Sequence, residues 1–333
     1  MNLKELARKL NISTSTVSKA LRDSHEISEA TKKRVRAKAK ELNYQVNPFA
    51  SGLRKQKSKT IAVIIPEVVN EFFGPAINGI ESVAQAKGYH VLIYLTHEDM
   101  KKEISITGLL QNGRVDGILI SVSAQTRNIS HLEEVKQKEI PLVFFDRVID
   151  SLPVPKVITD DYESGFKATN HLIQGGCRRI AFLALPRTLS ISSKRMNGYL
   201  DALKKNNLPV DSNLIITLNH DSSANKETIR KLLKRKNRPD GIFASIELFA
   251  INTYEVCEEL KLNIPIDVKV ICFSNLKTAS LLNPSMTTIS QPAYEMGKEA
   301  ASILFKMIEK KGHNFLLERT VINSTLVPRN STK

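Results

Sequence analysis

The chain has 333 residues and a formal net charge of +15, long enough for two or three domains with sizeable cores. No apolar run approaches the ~20 residues of a membrane span, and no signal peptide precedes Leu3, so no helical membrane span is expected. The three cysteines, Cys177, Cys257 and Cys272, are far apart with no Cys-x-x-Cys pair, which excludes a disulfide scaffold and suits a reducing cytoplasm. Charge is unevenly spread. Residues 1–60 carry 15 Lys/Arg against 5 Asp/Glu, and the rest of the chain carries 34 against 29. A basic head on a near-neutral body is expected to meet a polyanion.

Leu3, Leu6, Ala7 and Leu10 form an apolar stripe at helical spacing, opened by Asn2 with Glu5 as a capping box and ended at Asn11. Ser13 is an N-cap for a second helix, in which Val17 and Leu21 share one face. Thr14, Ser15, Ser18 and Lys19 lie off that face, short hydroxyls and one cation suited to base edges and phosphates. Two short helices and a tight turn predict a helix-turn-helix whose second helix enters the DNA major groove. The alternative is a helical hairpin on some larger surface. A polar loop from Arg22 to Glu26 precedes Ser28, which caps a third helix to about Leu42. Val35, Ala39 and Leu42 are its buried stripe, and Lys32, Lys33, Arg34, Arg36, Lys38 and Lys40 are expected to point mainly outward, where they neutralise phosphates.

Residues 44–59 contain Asn47 and Pro48, which would start a short helix. Gly52 weakens it by roughly 1 kcal/mol relative to alanine, and one or two turns do not hold alone in water. The expectation is a segment helical only when held, with Leu53 lacking any local core. From Thr60 the texture changes to alternating strands and helices. Ile61–Ile65 reads as a buried strand, followed by a helix over Pro75–Lys87. Tyr89–Leu95, Gly117–Ser121 and Leu142–Asp146 are strands, with helices Lys101–Asn112 and Ile129–Lys138 between them. Further strands are Arg179–Leu185, Leu214–Leu218, Gly241–Ser245 and Val268–Phe273, with helices Phe166–Gln174, Lys194–Asn206, Ala224–Lys236 and Ala250–Leu260. Pro292 opens a last long helix, Tyr294–Lys310, with Gly297 its only breaker, and a strand over Arg319–Val327 ends the pattern. Such alternation predicts parallel sheets wrapped by helices, split into two lobes with crossings near Ile158–Asp161 and Ser290–Pro292, and a ligand site at the carboxyl ends of the strands.

Catalytic signatures are missing. There is no Gly-x-Gly-x-x-Gly after the first strand, no Walker-type loop and no Gly-x-Ser-x-Gly elbow. The seven histidines show no His-x-x-x-His spacing, so neither a metal nor a cofactor is expected. Asp146, Asp160 and Asp161 lie at strand ends or crossings, positions where Asp caps helices or binds polar ligands. No catalytic residue is assigned.

The head residues Leu6-Ala7, Ser13 through Leu21, Ile27-Ser28, Thr31 through Val35, Leu42 through Tyr44, Asn47, Ala50 and Leu53 resemble the LacI/GalR family of bacterial transcription regulators. So do Phe72-Phe73, Asp116-Gly117-Ile118, Phe145-Asp146-Arg147, Arg195 with Gly198-Tyr199, Pro239-Asp240-Gly241 and Pro284 through Ile289 with Gln291-Pro292, in that order. The resemblance covers nearly the whole chain. It implies an α/β protein with an all-α helix-turn-helix head (1–45), a hinge helix and linker (46–59) and a two-lobed, periplasmic-binding-protein-like type I body of two Rossmann-like subdomains. The lobes are expected at 60–160 with 291–321, and at 161–290 with 322–330. The implied activity is a sequence-specific DNA-binding regulator, a repressor, held as a homodimer on a pseudo-palindromic double-stranded operator.

By the same resemblance, Thr14, Ser15 and Lys19 read bases, and Ser13, Thr16 and Ser18 meet phosphates. Asn47 opens the hinge helix, Ala50 lies on the minor-groove floor, and Leu53 wedges into the central base step. Val46 and Ser51 stand where the family has Pro and Arg. A small effector, a sugar or sugar derivative, is expected between the lobes, with Phe72 and Phe73 stacking on it and Asp146, Arg195 and Gln291 as polar contacts. Glu247 and Asn275 complete the expected set. Ile246-Glu247 and Ser274-Asn275 replace the usual Asn-Asp and Asp-Asp pairs, which predicts a less acidic, more apolar pocket. Asp146 and Arg195 could instead pair with each other across the lobes. The chain stops soon after the last strand without a heptad tail, which favours a dimer over a coiled-coil tetramer. Two other readings stay open: a regulator gated by a partner protein, and a sugar- or nucleotide-processing enzyme with a fused DNA-binding head.

Overall fold

The computed structural model describes residues 2–44, 58–186, 188–219, 221–310 and 318–333. The expected contacts of Asn47, Ala50 and Leu53, and most of the hinge segment, lie outside these residues. The chain divides into a head, residues 1–58, and a body, residues 59–333.

The head is built by local signals that agree with one another. Helix α1 (Leu3–Leu10) opens on the Asn2/Glu5 capping box, with Asn2 Oδ1 accepting from Glu5 N at 2.9 Å and Glu5 Oε2 from Asn2 N at 3.1 Å. It ends on Asn11 in the left-handed region, φ 52°, a conformation Asn tolerates. Helix α2 (Thr14–Leu21) is capped by Ser13 and α3 (Glu29–Glu41) by Ser28. Leu6, Ala7, Leu10, Val17, Ala20, Val35 and Ala39 form the core, with Leu21, Leu42 and Tyr44 at its margin. Arg34 reaches back to the Leu10 carbonyl at 3.0 Å, satisfying the free end of α1. One expectation fails here: Lys32 is buried, because its ammonium lies between Glu29 (2.8 Å) and Asp23 (3.2 Å). The loop carboxylate of Asp23, itself at φ 60°, draws that side chain inward.

In the body, β1 (Thr60–Ile65) is buried along its whole length. It is followed by α4 (Phe73–Ala86), β2 (His90–Leu95), α5 (Met100–Leu110), β3 (Gly117–Ile120), α6 (Ser130–Gln137) and β4 (Leu142–Phe145). Lys156–Thr159 is a further strand, β5, where only a crossing was expected. The second lobe begins with α7 (Asp161–Gln174), β6 (Ile180–Ala184), α8 (Ser190–Lys205), β7 (Ile215–Thr217), α9 (Ser222–Leu233), β8 (Gly241–Ala244), α10 (Glu247–Glu259) and β9 (Lys269–Phe273). Thr287–Ser290 is strand β10, again where a crossing was read. Helix α11 (Ala293–Glu309) follows, and the expected single last strand is two, β11 (Arg319–Ile322) and β12 (Thr325–Val327).

Among the described residues, each lobe holds one six-stranded sheet. The orders are β11-β5-β4-β3-β1-β2 and β12-β10-β9-β8-β6-β7. All neighbours pair parallel except β12, which is antiparallel to β10. The chain therefore crosses between lobes three times, after β5, after β10 and at Asn323–Ser324. In both sheets order reverses beside the first strand, and that reversal opens a crevice at the carboxyl ends.

The crossings are tied by polar groups. Asp160 accepts from Ser324 N, at 2.6 Å, and from Lys167. Asn275 and Gln291 exchange a reciprocal pair, Asn275 Nδ2 to Gln291 O at 2.9 Å and Gln291 N to Asn275 Oδ1 at 2.8 Å. Helix α11 packs on α4 so closely that a Cβ on Gly297 would overlap the Ala76 carbonyl, and one on Gly79 the Tyr294 carbonyl. The glycine that looked like a helix breaker is thus a packing requirement. Gly297→Ala is expected to destabilise the body by about 1–3 kcal/mol through overpacking. Gly108→Ala, on α5 with nothing nearby, is expected to be neutral or to stabilise by up to about 1 kcal/mol. Urea denaturation of both variants checks the contrast.

Candidate functional site

In the head, the predicted DNA-facing residues share one element. Ser13, Thr14 and Ser15 are exposed, and Thr16, Ser18 and Lys19 are half-buried. Ser13 Oγ accepts from Thr16 N at 3.0 Å and lies 2.8 Å from Thr16 Oγ1, fixing the first turn of α2. Arg22 bonds both the hydroxyl and the carbonyl of Ser18. The Lys19 ammonium is paired with Glu26 from the following loop. Thr14 and Ser15 stand at the N-terminal turn, the end of a recognition helix that meets base edges.

In the body, Phe72, Phe73, Asp146, Arg195, Glu247, Asn275 and Gln291 line one cleft between the lobes, together with Asn70, Arg147, Ile191, Ile246, Phe273 and Ser274. The elements explain the convergence. Phe72 and Phe73 follow β1, Asp146 and Arg147 follow β4, Glu247 opens α10 after β8, Asn275 follows β9 and Gln291 follows β10. The side chains nevertheless differ in what they have left to offer. Phe73 is core as much as lining, edge-on to Phe72 at 5.3 Å and to Phe145 at 6.5 Å.

Asp146 sits at φ 60° with its carboxylate buried, accepting from Ser121 Oγ at 3.2 Å. Burial pushes its pKa up to about 6, against the pull of Arg147 and Arg195 and with Asp161 adding to the rise. Arg147 gives NH1 to Glu98 at 2.6 Å, and its Nε, 3.9 Å from Asp146, has no hydrogen-bond partner among the described residues. The Gln291 Nε2 is buried in the same unbonded state. A strained backbone and unspent buried donors are what a polar-ligand site looks like before its ligand arrives.

Arg195 is not paired with Asp146. Its Nε binds Asp161 at 2.8 Å, its NH1 binds the Ser245 carbonyl at 2.8 Å, and its guanidinium lies over the Phe273 ring at 3.7 Å. The alternative of a direct Asp146–Arg195 bridge is thereby replaced by a bridge within the second lobe. Glu247 accepts from Ser274 Oγ at 2.9 Å and Asn275 N at 2.8 Å, and burial raises its pKa. With Asn275 bound to Gln291, these two are spent on holding the strand ends. The cleft presents Ile191, Ile246 and three Phe rings around few free polar atoms. Arg147 belongs to a motif recognised in the sequence yet was not picked as lining. Its signal was the Phe145-Asp146-Arg147 run at a strand end.

The lobes also touch directly. Thr188 Oγ1 donates to the Ala124 carbonyl at 2.9 Å. Ala124 is held from below: its N–H binds Glu98, and the neighbouring Ser123 N–H binds the buried Glu103, which also holds His131 at 2.9 Å. Asp146, Arg147, Glu98 and Ala124 therefore form a continuous polar path from the cleft wall to the interlobe contact. No helix among the described residues is long and apolar enough to cross a membrane.

Comparison with known proteins agrees with both halves of this description. Residues 2–47 match the family described as bacterial regulatory proteins, lacI family, and residues 58–332 match periplasmic binding proteins and sugar binding domain of LacI family. The chain is 30% identical over 331 residues to the HTH-type transcriptional repressor CytR of Escherichia coli, covering 99% of this chain and 96% of that protein. It is 29% identical to the repressor PurR of Aliivibrio salmonicida over 93% of each chain. Among solved structures, a periplasmic binding protein/LacI transcriptional regulator from Alkaliphilus metalliredigens, complexed with D-xylulofuranose, superposes with TM-score 0.69 and 28% identity over 83% of this chain and 99% of its own. The CelR–cellobiose complex matches in fold with TM-score 0.75 at 24% identity, over 99% of both chains. With a helix-turn-helix head and a doubly wound two-lobed body matched end to end, the chain belongs to the LacI family, as a DNA-binding transcriptional regulator and not an enzyme.

Proposed function

We propose that two copies of this chain bind a pseudo-palindromic operator in the cytoplasm as a repressor, and that a small uncharged polyol, a sugar or nucleoside, in the interlobe cleft decides when. The observation that carries the effector reading is the pair of unbonded buried donors, Arg147 Nε and Gln291 Nε2, on residues that line the same cleft as Asp146. Hydroxyl groups can accept from the first two and donate to the third. The apolar faces of a sugar or base suit Phe72, Ile191 and Ile246, which share the same wall. The solved relative holding D-xylulofuranose supports this class.

Charge narrows it further. Both cleft arginines are already committed, Arg147 to Glu98 and Arg195 to Asp161, while Asp146 and Glu247 face the same space. Among the described lining residues, a phosphorylated ligand would meet two carboxylates and two arginines whose charge is already balanced by Glu98 and Asp161. Dimer formation is supported by the exposed apolar side chains Leu92 and Ile93 on β2, the outermost strand of its sheet, and Ile104 and Leu109 on α5. Unpaired edge strands with such side chains seek a partner.

A thermal-shift screen of sugars, nucleosides, sugar acids, phosphosugars and purines tests the reading. Neutral sugars or nucleosides are expected to raise the melting temperature by mass action, and phosphosugars are not. A screen in which only phosphorylated compounds raise it would overturn the ligand class. One in which nothing raises it would favour gating by a partner protein.

A further inference from the structure

Lys19 is the cation within recognition helix α2, and its ammonium is paired with the Glu26 carboxylate. Glu26 comes from the short loop after the helix, which folds back through Ser24 N to Lys19 O (3.0 Å) and Ile27 N to Ser24 O (3.2 Å). The Glu26 side chain is 52% exposed and that of Lys19 43%. The bond from Lys19 holds the Glu26 carboxyl below its ordinary range, so it is charged wherever DNA binding is measured. An exposed pair of this kind does little for folding. It is also an odd feature for a surface meeting phosphates, where a carboxylate repels and a free lysine attracts.

Its chemistry makes sense against base edges. In the major groove a G·C pair presents acceptors at guanine O6 and N7 beside a donor at cytosine N4, which lysine and glutamate match respectively. Resting on the reading of α2 as the DNA-contacting helix, we infer that Glu26 is a specificity-determining residue. It withholds Lys19 from phosphates on non-specific DNA, and with Lys19 it reads one G·C pair in each half-site. Over A·T or C·G the carboxylate faces an acceptor or a methyl group and is left desolvated without a donor, while over T·A it meets adenine N6 but Lys19 keeps only one acceptor, thymine O4, in place of guanine's two. Specificity then comes in part from a penalty on wrong sequences.

The test compares full-length wild type with Glu26→Gln, Lys19→Met and the double variant. Each is used to select from a randomised palindrome library and titrated against random-sequence duplex over a range of salt. Wild type is expected to select G·C at one symmetric position per half-site. Glu26→Gln is expected to weaken, without abolishing, the G·C preference there, to bind random duplex about 3–10-fold tighter near 0.1 M salt, and to steepen the log–log salt slope by about 0.9 for each head engaged. In the Lys19→Met background the same change is expected to have no such effect.

An unchanged G·C preference with unchanged random-duplex affinity would overturn the proposal. So would an equal gain in the Lys19→Met background, which would show a general charge effect. If wild type itself selects no sequence, the recognition-helix reading fails and this inference with it, a result distinct from selection that simply ignores Glu26. Equal melting temperatures for the variants confirm that folding is intact.

Discussion

Arg195→Ala is expected to destabilise the body by about 3–5 kcal/mol, the cost of removing one partner from a buried ion pair. Arg195 and Asp161 are each 2% exposed, so the carboxylate left behind would be neither paired nor hydrated. The Ser245 carbonyl would lose its donor, and the Phe273 ring its stacked guanidinium. In calorimetry this corresponds to a melting temperature lower by about 10 °C. Arg195→Lys keeps the charge but cannot reach Asp161 and Ser245 together, and an intermediate loss is expected. Arg195→Met combined with Asp161→Asn, which removes both charges, is expected to recover much of the difference. A variant Arg195→Ala that unfolds with the wild-type midpoint would show that the bridge is not buried as described. Loss of ligand response in that variant does not identify Arg195 as a contact, because it reaches the ligand wall through the fold.

Asp146→Asn behaves oppositely. Asn tolerates the left-handed backbone at φ 60° and can still accept from Ser121. The carboxyl of Asp146 has its pKa raised from 3.8 to about 6, chiefly by burial. The folded state therefore holds this proton more tightly than the unfolded chain, and stability falls as pH rises from about 4 to about 6. Above that window the ionised group costs on the order of 3 kcal/mol. Asp146→Asn is thus expected to melt several degrees higher than wild type at pH 7.5 and at nearly the same temperature near pH 4. Glu247, raised in the same direction, is common to both proteins, and Asp161, relieved of a neighbouring like charge in Asp146→Asn, adds to the gain at pH 7.5. The thermal shift produced by an effector is expected to vanish. Gain of stability with loss of binding marks a residue kept for function. A variant less stable than wild type at pH 7.5 would make Asp146 a structural acid instead.

The head was readable because each signal is local. Asn2, Ser13 and Ser28 act on N–H groups within three residues of themselves, and the apolar spacing of α1 and α2 is a single-helix property. Lys32 was misread because its partner Asp23 arrives through a loop, and only the folded chain brings them together. In the body, strands and helices followed from β-branched runs and helical periodicity, but β5 and β10 were hidden. They are short, and Lys156, Thr287, Thr288 and Ser290 interrupt their apolar pattern although most are buried.

Helices α7, α8 and α10 start earlier than periodicity suggests, at Asp161, Ser190 and Glu247. The first turns of α8 and α10 bring Ile191 and Glu247 to the cleft, and the first residue of α7, Asp161, holds Arg195 there. The cleft residues themselves were found by likeness to a family, which picks positions and not states. That Arg195 binds Asp161, that Glu247 and Asn275 are occupied, and that Arg147 and Gln291 keep free donors depend on geometry across several strands, which spacing in one chain does not encode.

The most direct test of a head governed by the cleft is thermodynamic reciprocity. A ligand found by thermal shift is titrated with and without saturating operator duplex, and the operator is titrated with and without saturating ligand. The two ratios are expected to agree, at about 5–150-fold in either direction. A ligand that raises the melting temperature of wild type but not of Asp146→Asn, and yet leaves operator affinity unchanged, would contradict the account.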